Sequence, residues 1–250
     1  MAANGTGRQL LAKFHIRGYK IIQFVDEGAC YFKERNQLYY DHCLISPFLP
    51  KGDMHYVDIG ARNGDSLREL IPFKERIKSI VCFEPNPEEF KKLKIVCEQN
   101  NLKASLNEFA ISEESGVLDF VWDEKERNGG LKNKISLQES WDSERKFKCL
   151  CWKDFSENLK IELENLNFIK VDTEGSDIDC LMQLQEIIVK NKPNIMIEWF
   201  PETEDKIKKF CSEFCYYTIN PETFKTPKEW CHNLILLHKD SETFKKIWKK

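Results

Sequence analysis

The sequence has 250 residues, of which 41% are hydrophobic and 32% are charged, and its formal net charge is −3. This length and hydrophobic fraction predict one large globular domain and exclude an intrinsically disordered chain. Because the net charge is small and negative, and because no basic stripe runs along the sequence, we expect neither nucleic acid nor a membrane as a partner.

The cysteine pattern indicates a reduced protein. Ten cysteines are present, but no C-x-x-C motif occurs, and the two close pairs, Cys149/Cys151 and Cys211/Cys215, lack the second pair that a zinc site requires. No apolar segment follows the N-terminus and no run of about 18 apolar residues occurs, so we expect no signal peptide and no membrane span. Together these features predict a cytoplasmic protein.

Residues 1–52 are predicted to form an N-terminal cap or extension. This part contains a predicted strand at 21–25 and a predicted helix at 36–44, and it closes with turn-forming residues. Tyr39, Tyr40 and His42 would either cover a substrate or pack within the extension, and we favour packing. Residues 53–250 are predicted to form one domain in which strands and helices alternate.

The segment 55–66 is predicted to form a cofactor loop. It reads as a buried strand, a turn with two glycines and the start of a helix at 67–73, so that backbone N–H groups point towards a ligand. Arg62 occupies the position of the middle glycine of a dinucleotide loop, and no Gly-Lys-Ser/Thr follows, so pyrophosphate and nucleoside triphosphate are disfavoured. S-adenosylmethionine (SAM) has a ribose and an amino-acid tail but no phosphate, and it fits. The loop residues expected to bind it are Asp58, Gly60, Ala61, Asn63, Gly64 and Ser66, with Gly60 allowing the cofactor tail to approach closely.

The next predicted strand, 80–83, ends in an acidic residue. Glu84 follows Gly60 by 24 positions (84 − 60), close to the spacing of about 20 at which a carboxylate reaches ribose hydroxyls in Rossmann-like units. Asn86 follows in the same turn and joins the predicted site, ahead of an amphipathic helix at 87–100. A third strand is predicted at 104–111, where Phe109 and Ala110 would face the adenine.

Strands are also predicted at 116–122 and 146–151, on either side of a polar stretch around Gly129 and Gly130. We interpret that stretch, 123–145, either as a mobile loop near the substrate or as a flexible insertion.

Three carboxylates follow two further predicted strands. Asp172 and Glu174 come after the strand at 168–171, and Glu198 ends the strand at 194–197, so the three could converge on one pocket wall. Asp172 and Glu174 could cap the predicted helix at 176–190, or the three carboxylates could bind a divalent cation through oxygen or provide one carboxylate of raised pKa as a general base. The sequence leaves these uses open, and a cation is not expected.

The chain closes with two predicted strands at 216–219 and 233–238. His232, just before the second of them, is the histidine best placed for proton transfer.

Five blocks of this sequence, in this order, resemble the signature blocks of the FkbM family of methyltransferases. The blocks lie at 57–66, 83–87, 108–112, 169–175 and 193–198, and those at 108–112 and 193–198 are the weaker two. Each block alone is modest evidence, but five in order are strong evidence. Arg62 and Thr173 depart from the residues usual in the family, which are a small polar and an aliphatic residue. Neither change removes a group that the cofactor needs, but Arg62 adds charge at the pocket mouth.

The resemblance implies a Rossmann-like class I methyltransferase fold for residues 53–250. The expected architecture is α/β, with a mostly parallel seven-stranded sheet, an antiparallel hairpin at its C-terminal edge and the N-terminal extension. The implied activity is SAM-dependent O-methylation of a hydroxyl on a small, natural-product-like or sugar-like molecule, with Asp172, Glu174, Glu198 and His232 as the catalytic candidates. A catalytically silent SAM-binding regulatory module is the alternative, an NAD-linked enzyme is disfavoured by Arg62, and the oligomeric state is left open.

Overall fold

The computed structural model describes residues 9–16, 19–26, 45–123, 128–132, 143–158, 163–229 and 231–248. The predicted helix at 36–44, with Tyr39, Tyr40 and His42, lies outside these ranges.

The described residues form strands, α-helices and short 3₁₀ helices. The strands are β1 (Gln9–Ile16), β2 (Tyr19–Asp26), β3 (Met54–Ile59), β4 (Ile77–Phe83), β5 (Ser105–Asn107), β6 (Ala110–Ile111), β7 (Gly116–Asp123), β8 (Asn128–Leu131), β9 (Ser143–Leu150), β10 (Phe168–Val171), β11 (Asn194–Glu198), β12 (Tyr216–Ile219) and β13 (Asn233–His238). The α-helices are α1 (Pro87–Asn100), α2 (Trp152–Asn158), α3 (Asp177–Gln183), α4 (Gln185–Asn191), α5 (Glu204–Phe214) and α6 (Glu242–Trp248). The 3₁₀ helices are Ser46–Phe48, Ser66–Glu69, Ile71–Arg76 and Pro201–Thr203.

A seven-stranded sheet organises the domain, in the order β12-β13-β11-β10-β3-β4-β5. The five strands from β11 to β5 pair in parallel, whereas β13 is antiparallel to both β11 and β12. This arrangement confirms the predicted sheet with its antiparallel edge hairpin. Because the order reverses beside β3, the carboxyl ends of β3 and β10 diverge, which is where open α/β sheets bind ligands.

The two faces of this sheet are covered by two separate apolar clusters. Along β3, Val57 and Ile59 belong to one cluster and Met54 and Tyr56 to the other. Successive side chains of a strand point to opposite faces, so a strand that is buried on both faces has hydrophobic residues along most of its length. Within β10, Lys170 departs from this hydrophobic pattern, because it is a charged residue that is only 1% exposed.

A second, four-stranded sheet is inserted between β5 and β10, in the order β6-β9-β7-β8. The prediction of one strand at 104–111 is therefore wrong: the chain leaves the main sheet after Asn107 and enters the second sheet at Ala110. Within the polar stretch at 123–145, Gly129 and Gly130 lie in β8 and pair with β7. Residues 124–127 and 133–142 lie outside the described ranges.

Two predicted helices differ from those observed. The predicted helix at 67–73 is replaced by the 3₁₀ helices Ser66–Glu69 and Ile71–Arg76, because Pro72 lacks the N–H that an α-helix continuing from residue 67 would need. The predicted helix at 176–190 is divided into α3 and α4. At the division the N–H of Leu184 donates to the carbonyl of Leu181, a tighter turn than an α-helix makes.

The predicted strand at 21–25 is confirmed as part of β2, but its antiparallel partner β1 was not predicted. This hairpin lies beside α1 rather than within either sheet. Among the helices that the structure describes, none is long and apolar enough to cross a membrane.

Candidate active site

A cavity of about 440 Å³ opens at the carboxyl ends of the parallel strands. Its volume falls in the range of small-molecule sites, about 300–1,000 Å³. One wall comes from the residues that follow β3, β4, β10 and β11, and the other from the second sheet. The lining residues include Gly60, Arg62, Glu84, Asp172, Glu174, Glu198 and His232 on the first side, and Ala110, Phe120, Trp122, Leu131 and Phe147 on the second.

The turn after β3 is held by hydrogen bonds to β4. The N–H groups of Gly60 and Ala61 both donate to the carbonyl oxygen of Phe83, at 3.0 Å. Gly60 has a φ of +78°, and a Cβ atom there would overlap the carbonyl oxygen of Asp172. Gly60 is therefore required by the close passage of the backbone of Asp172, directly after β10, and the approach of a cofactor tail to Gly60 remains a prediction.

Glu84 lies at the end of β4 and is held by two backbone donors. Its Oε2 accepts from the N–H of Arg62 and its Oε1 from the N–H of Asn86, each at 2.8 Å. Burial raises the pKa of Glu84 to about 7, although these two hydrogen bonds act in the opposite direction. Each oxygen keeps a further lone pair, so the carboxylate can accept two more hydrogen bonds from a vicinal diol.

Most other residues of the predicted cofactor loop are buried under the loop and stabilise its conformation. Asp58 is fully buried and accepts a short hydrogen bond from Ser66, Ala61 lies in the core, and Asn63 is 3% exposed. Gly64 has a φ of +81°, and a Cβ there would press on Leu93 of α1. These residues shape the loop, and a direct contact between any of them and the cofactor remains a prediction.

Three further predicted cofactor residues occupy different positions. Asn86 is the N-cap of α1, since its side chain accepts from the N–H of Glu88 at 2.8 Å. Phe109 packs on Phe83, with ring centroids 5.6 Å apart, as part of the apolar core, whereas Ala110 lines the cavity. Of this pair, Ala110 is the residue for which a contact with adenine remains a prediction.

Asp172, Glu174 and Glu198 converge in the wall of the cavity. One carboxylate oxygen from each lies within 4.8 Å of the others. Burial raises the pKa of Glu198 well above its usual value, and the charges of Asp172 and Glu174 raise it further. Burial acts on Asp172 in the same direction, but the ammonium of Lys170 overcomes it and holds the pKa of Asp172 below its usual value. Of this pair, Glu198 is therefore the weaker acid and Asp172 the stronger.

His232 extends this cluster towards solvent. Its Nε2 lies 3.3 Å from Oε1 of Glu198, and its carbonyl accepts from the N–H of Trp199 at 2.9 Å, which fixes the loop before β13. The imidazole is 43% exposed, so a proton on Glu198 has a short route to water.

The capping and cation alternatives are both less well supported than a shared proton. Helix α3 begins at Asp177 after Ser176, whose side chain makes no capping hydrogen bond, and Asp172 pairs with Lys170 instead. Because Lys170 and Arg62 already offset the charge of Asp172, the cluster has less need of a cation than three uncompensated carboxylates would have.

Two buried charged residues at the site were not predicted. Lys170 was not among the predicted site residues, although a lysine inside an apolar strand is a signal visible in the sequence itself. Asp177 is 3% exposed, and burial together with the charge of Asp172 raises its pKa to about 7. Nothing in the sequence distinguishes Asp177 from an ordinary acidic residue in the first turn of a helix.

A family model described as "Methyltransferase FkbM domain" matches residues 58–230. No curated protein matches the chain. Among solved structures, the chain is similar to the methyltransferase FkbM from Methylobacillus flagellatus KT, with a TM-score of 0.53 and 17% identity. That match covers 80% of this chain but 46% of the other, so the chain spans less than half the length of that protein.

Two further solved structures are similar at lower scores. SMU.1697c from Streptococcus mutans, in complex with SAH, has a TM-score of 0.46 and 11% identity over 79% of this chain and 94% of that chain. Precorrin 8w decarboxylase from Methanobacterium thermoautotrophicum has a TM-score of 0.45 and 12% identity over 80% and 90%. The family model carries more weight than these structures, because it spans well over half of the sequence and includes the Gly60 turn, Glu84 and the carboxylate cluster. The chain therefore has the class I methyltransferase fold and belongs to the FkbM family of methyltransferases.

Proposed function

We propose that this protein transfers the methyl group of SAM to a hydroxyl of a small molecule. The observation that carries the proposal is that one cavity contains both Glu84, a carboxylate with free lone pairs at the end of β4, and the Asp172–Glu174–Glu198 cluster at the ends of β10 and β11.

The residues around Glu84 fit the non-reacting parts of SAM. Glu84 would accept hydrogen bonds from the two ribose hydroxyls, and Ala110 would contact the adenine. The backbone of the Gly60 turn and the Arg62 side chain, which also lines the cavity, would face the amino-acid tail. When bound, SAM supplies an electrophilic methyl group on a sulfonium centre.

The chain's own contribution to the chemistry is to position the acceptor and to take its proton. A hydroxyl that is methylated must lose its proton, and Glu198 would receive it when Glu198 is ionised. The raised pKa makes Glu198 a stronger base than an ordinary carboxylate, and His232 would pass the proton on towards water. Alignment of the two reactants supplies the rest of the rate enhancement.

The second sheet supports an acceptor with an apolar face. The cavity side of this sheet presents Phe120, Trp122 and Phe147, with Phe147 packed edge-on against the other two rings at 5.1 and 6.0 Å between centroids. This aromatic wall belongs to the same cavity as Glu174 and Glu198. A ring-bearing alcohol could lie on the aromatic wall and present a hydroxyl to the carboxylates.

The test is transfer of tritium from methyl-labelled SAM to a panel of phenols, ring-bearing alcohols and sugars, with SAH formation measured in parallel. We expect labelled methyl ether and SAH in equal amounts, and strongly reduced transfer in Glu198→Gln. The matched control is Glu98→Ala, which removes one carboxylate from the exposed side of α1. SAM binding without transfer to any compound would support the silent regulatory module instead, and transfer to nitrogen or carbon alone would refute O-methylation.

A further inference from the structure

Lys170 is a buried ammonium that joins three structural elements. Its Nζ lies 3.3 Å from Oδ1 of Asp58 on β3, 3.2 Å from Oδ2 of Asp172 after β10, and 3.0 Å from the carbonyl oxygen of Gly60. Only 1% of the residue is exposed. A charge this deeply buried persists only when it is paired and hydrogen-bonded, so the position of Nζ is determined by these oxygens.

Through these three oxygens, Lys170 connects the turn beside Glu84 with the carboxylate cluster. Gly60 belongs to the turn beside Glu84, and Asp172 belongs to the carboxylate cluster. The ion pair also restrains Asp172, whose side chain is 34% exposed at the end of β10. Lys170 itself is enclosed beneath the cavity floor, so it acts through Asp172.

We propose that Lys170 is a positioning residue: by fixing the Asp172 carboxylate in its ionised form, it assigns the proton of the Asp172–Glu198 pair to Glu198. This inference rests on the proposed function for its catalytic meaning, because Glu198 must release its own proton before it can take up the proton of the acceptor hydroxyl. Its structural content, the location of a proton, can be measured without turnover.

Charged groups from several elements face this pair. Lys170 on β10 and Arg62 in the turn after β3 are positive, whereas Glu174 after β10, Asp177 on α3 and Asp58 on β3 are acidic, and His232 faces Glu198 from the loop before β13. Lys170 has the largest opposing effect on the pKa of Asp172, ahead of Arg62. Lys170 is therefore the group whose removal changes the pair most.

The sign of the expected change follows from the charges. Without Lys170, the state in which Asp172 and Glu198 are both ionised loses its counterion, so the pH at which the second proton leaves the pair must rise. Without the charge of Asp172, Glu198 loses the neighbour that disfavours its ionisation, so its pKa must fall. A residue that merely held the fold together would produce neither shift.

The experiment is a carboxyl carbon-13 NMR titration of protein with labelled glutamate side chains, in which the Glu198 signal is assigned by its loss in Glu198→Gln. In Lys170→Met we expect the midpoint for Glu198 to rise by about one unit or more, and in Asp172→Asn to fall by about one unit. Lys170→Arg keeps the charge and should lie between the parent and Lys170→Met.

The control is Lys206→Met, which removes a half-exposed lysine that lies 3.3 Å from the carboxylate of Asp179 and should leave the midpoint unchanged. If Lys170→Met does not fold, Asp172→Asn and Lys170→Arg carry the test. An unshifted midpoint in folded Lys170→Met, or a rise in Asp172→Asn, would overturn the inference. If the variants show the predicted NMR shifts but the parent protein transfers no methyl group, the proposed function is refuted and the role of Lys170 stands.

Discussion

Replacing Glu84 with alanine tests the cofactor end of the cavity most directly. The carboxylate would lose the two hydrogen bonds from the ribose, and hydrogen bonds to a charged group contribute about 1.5–3 kcal/mol. At about 1.4 kcal/mol for each factor of ten, SAM and SAH should bind roughly tenfold to a hundredfold more weakly. The variant also leaves the N–H groups of Arg62 and Asn86 without their acceptor, so some loss of thermal stability is expected.

The pH dependence of binding gives a second, independent readout. The pKa of Glu84 in the free protein is raised to about 7, and a diol binds the ionised carboxylate. SAM affinity should therefore weaken below pH 7, approaching about tenfold for each pH unit, and this dependence should be absent in Glu84→Ala. Isothermal titration calorimetry from pH 5.5 to 8.5 measures both effects, and Glu98→Ala, exposed on α1, is the matched control.

Two results would contradict this reasoning. If folded Glu84→Ala binds SAM as tightly as the parent, Glu84 does not contact the ribose. If the parent releases heat on addition of NAD but not of SAM, the cofactor assignment itself is wrong.

The remaining predictions concern the turn, the base and the folded state. Gly60→Ala should lower the thermal unfolding temperature measured by circular dichroism, because the added Cβ overlaps the carbonyl oxygen of Asp172. Glu198→Gln should keep SAM affinity within a few-fold and lower kcat by about 10²–10⁴, and EDTA should leave the parent's rate unchanged. Because burial raises the pKa values of Glu84 and Asp177 to about 7, the folded protein binds these protons more tightly than the unfolded chain. The free energy of unfolding without cofactor should therefore fall as the pH rises from about 4 to 7, by roughly 3–4 kcal/mol for each group, as measured by urea titration.

Each of these predictions has a control or a contrary outcome. Gly52→Ala adds a Cβ that meets no atom within 4 Å, so it should leave the unfolding temperature unchanged. Loss of activity in EDTA with recovery in Mg²⁺ would assign the carboxylates to a cation. Unfolding free energies that rise steadily from pH 4 to 7 would show that Glu84 and Asp177 are not buried as described.

The sequence determined the core of the fold through local patterns. The predicted strands at 55–59, 80–83, 168–171 and 194–197 consist mostly of hydrophobic residues, and each of the last three is followed directly by an acidic residue. Because parallel strands bring their carboxyl ends to one edge, the order of these segments was sufficient to predict that Glu84, Asp172 and Glu198 share a cavity. That prediction needed no knowledge of the individual contacts.

The tertiary structure decided how those residues are used. Whether Gly60 is required by a ligand or by the passing backbone of β10 depends on an approach between residues 112 positions apart (172 − 60). The raised pKa of Glu198 depends on its burial and on the charges of Asp172, Glu174 and Asp177, which come together only once β10, β11 and α3 have packed. The second sheet, too, forms by pairing segments that read singly as a polar stretch and two isolated strands. The local sequence predicts which residues reach the site. The protonation of these residues, and the contacts that hold them in place, depend on distances that exist only after the chain has folded.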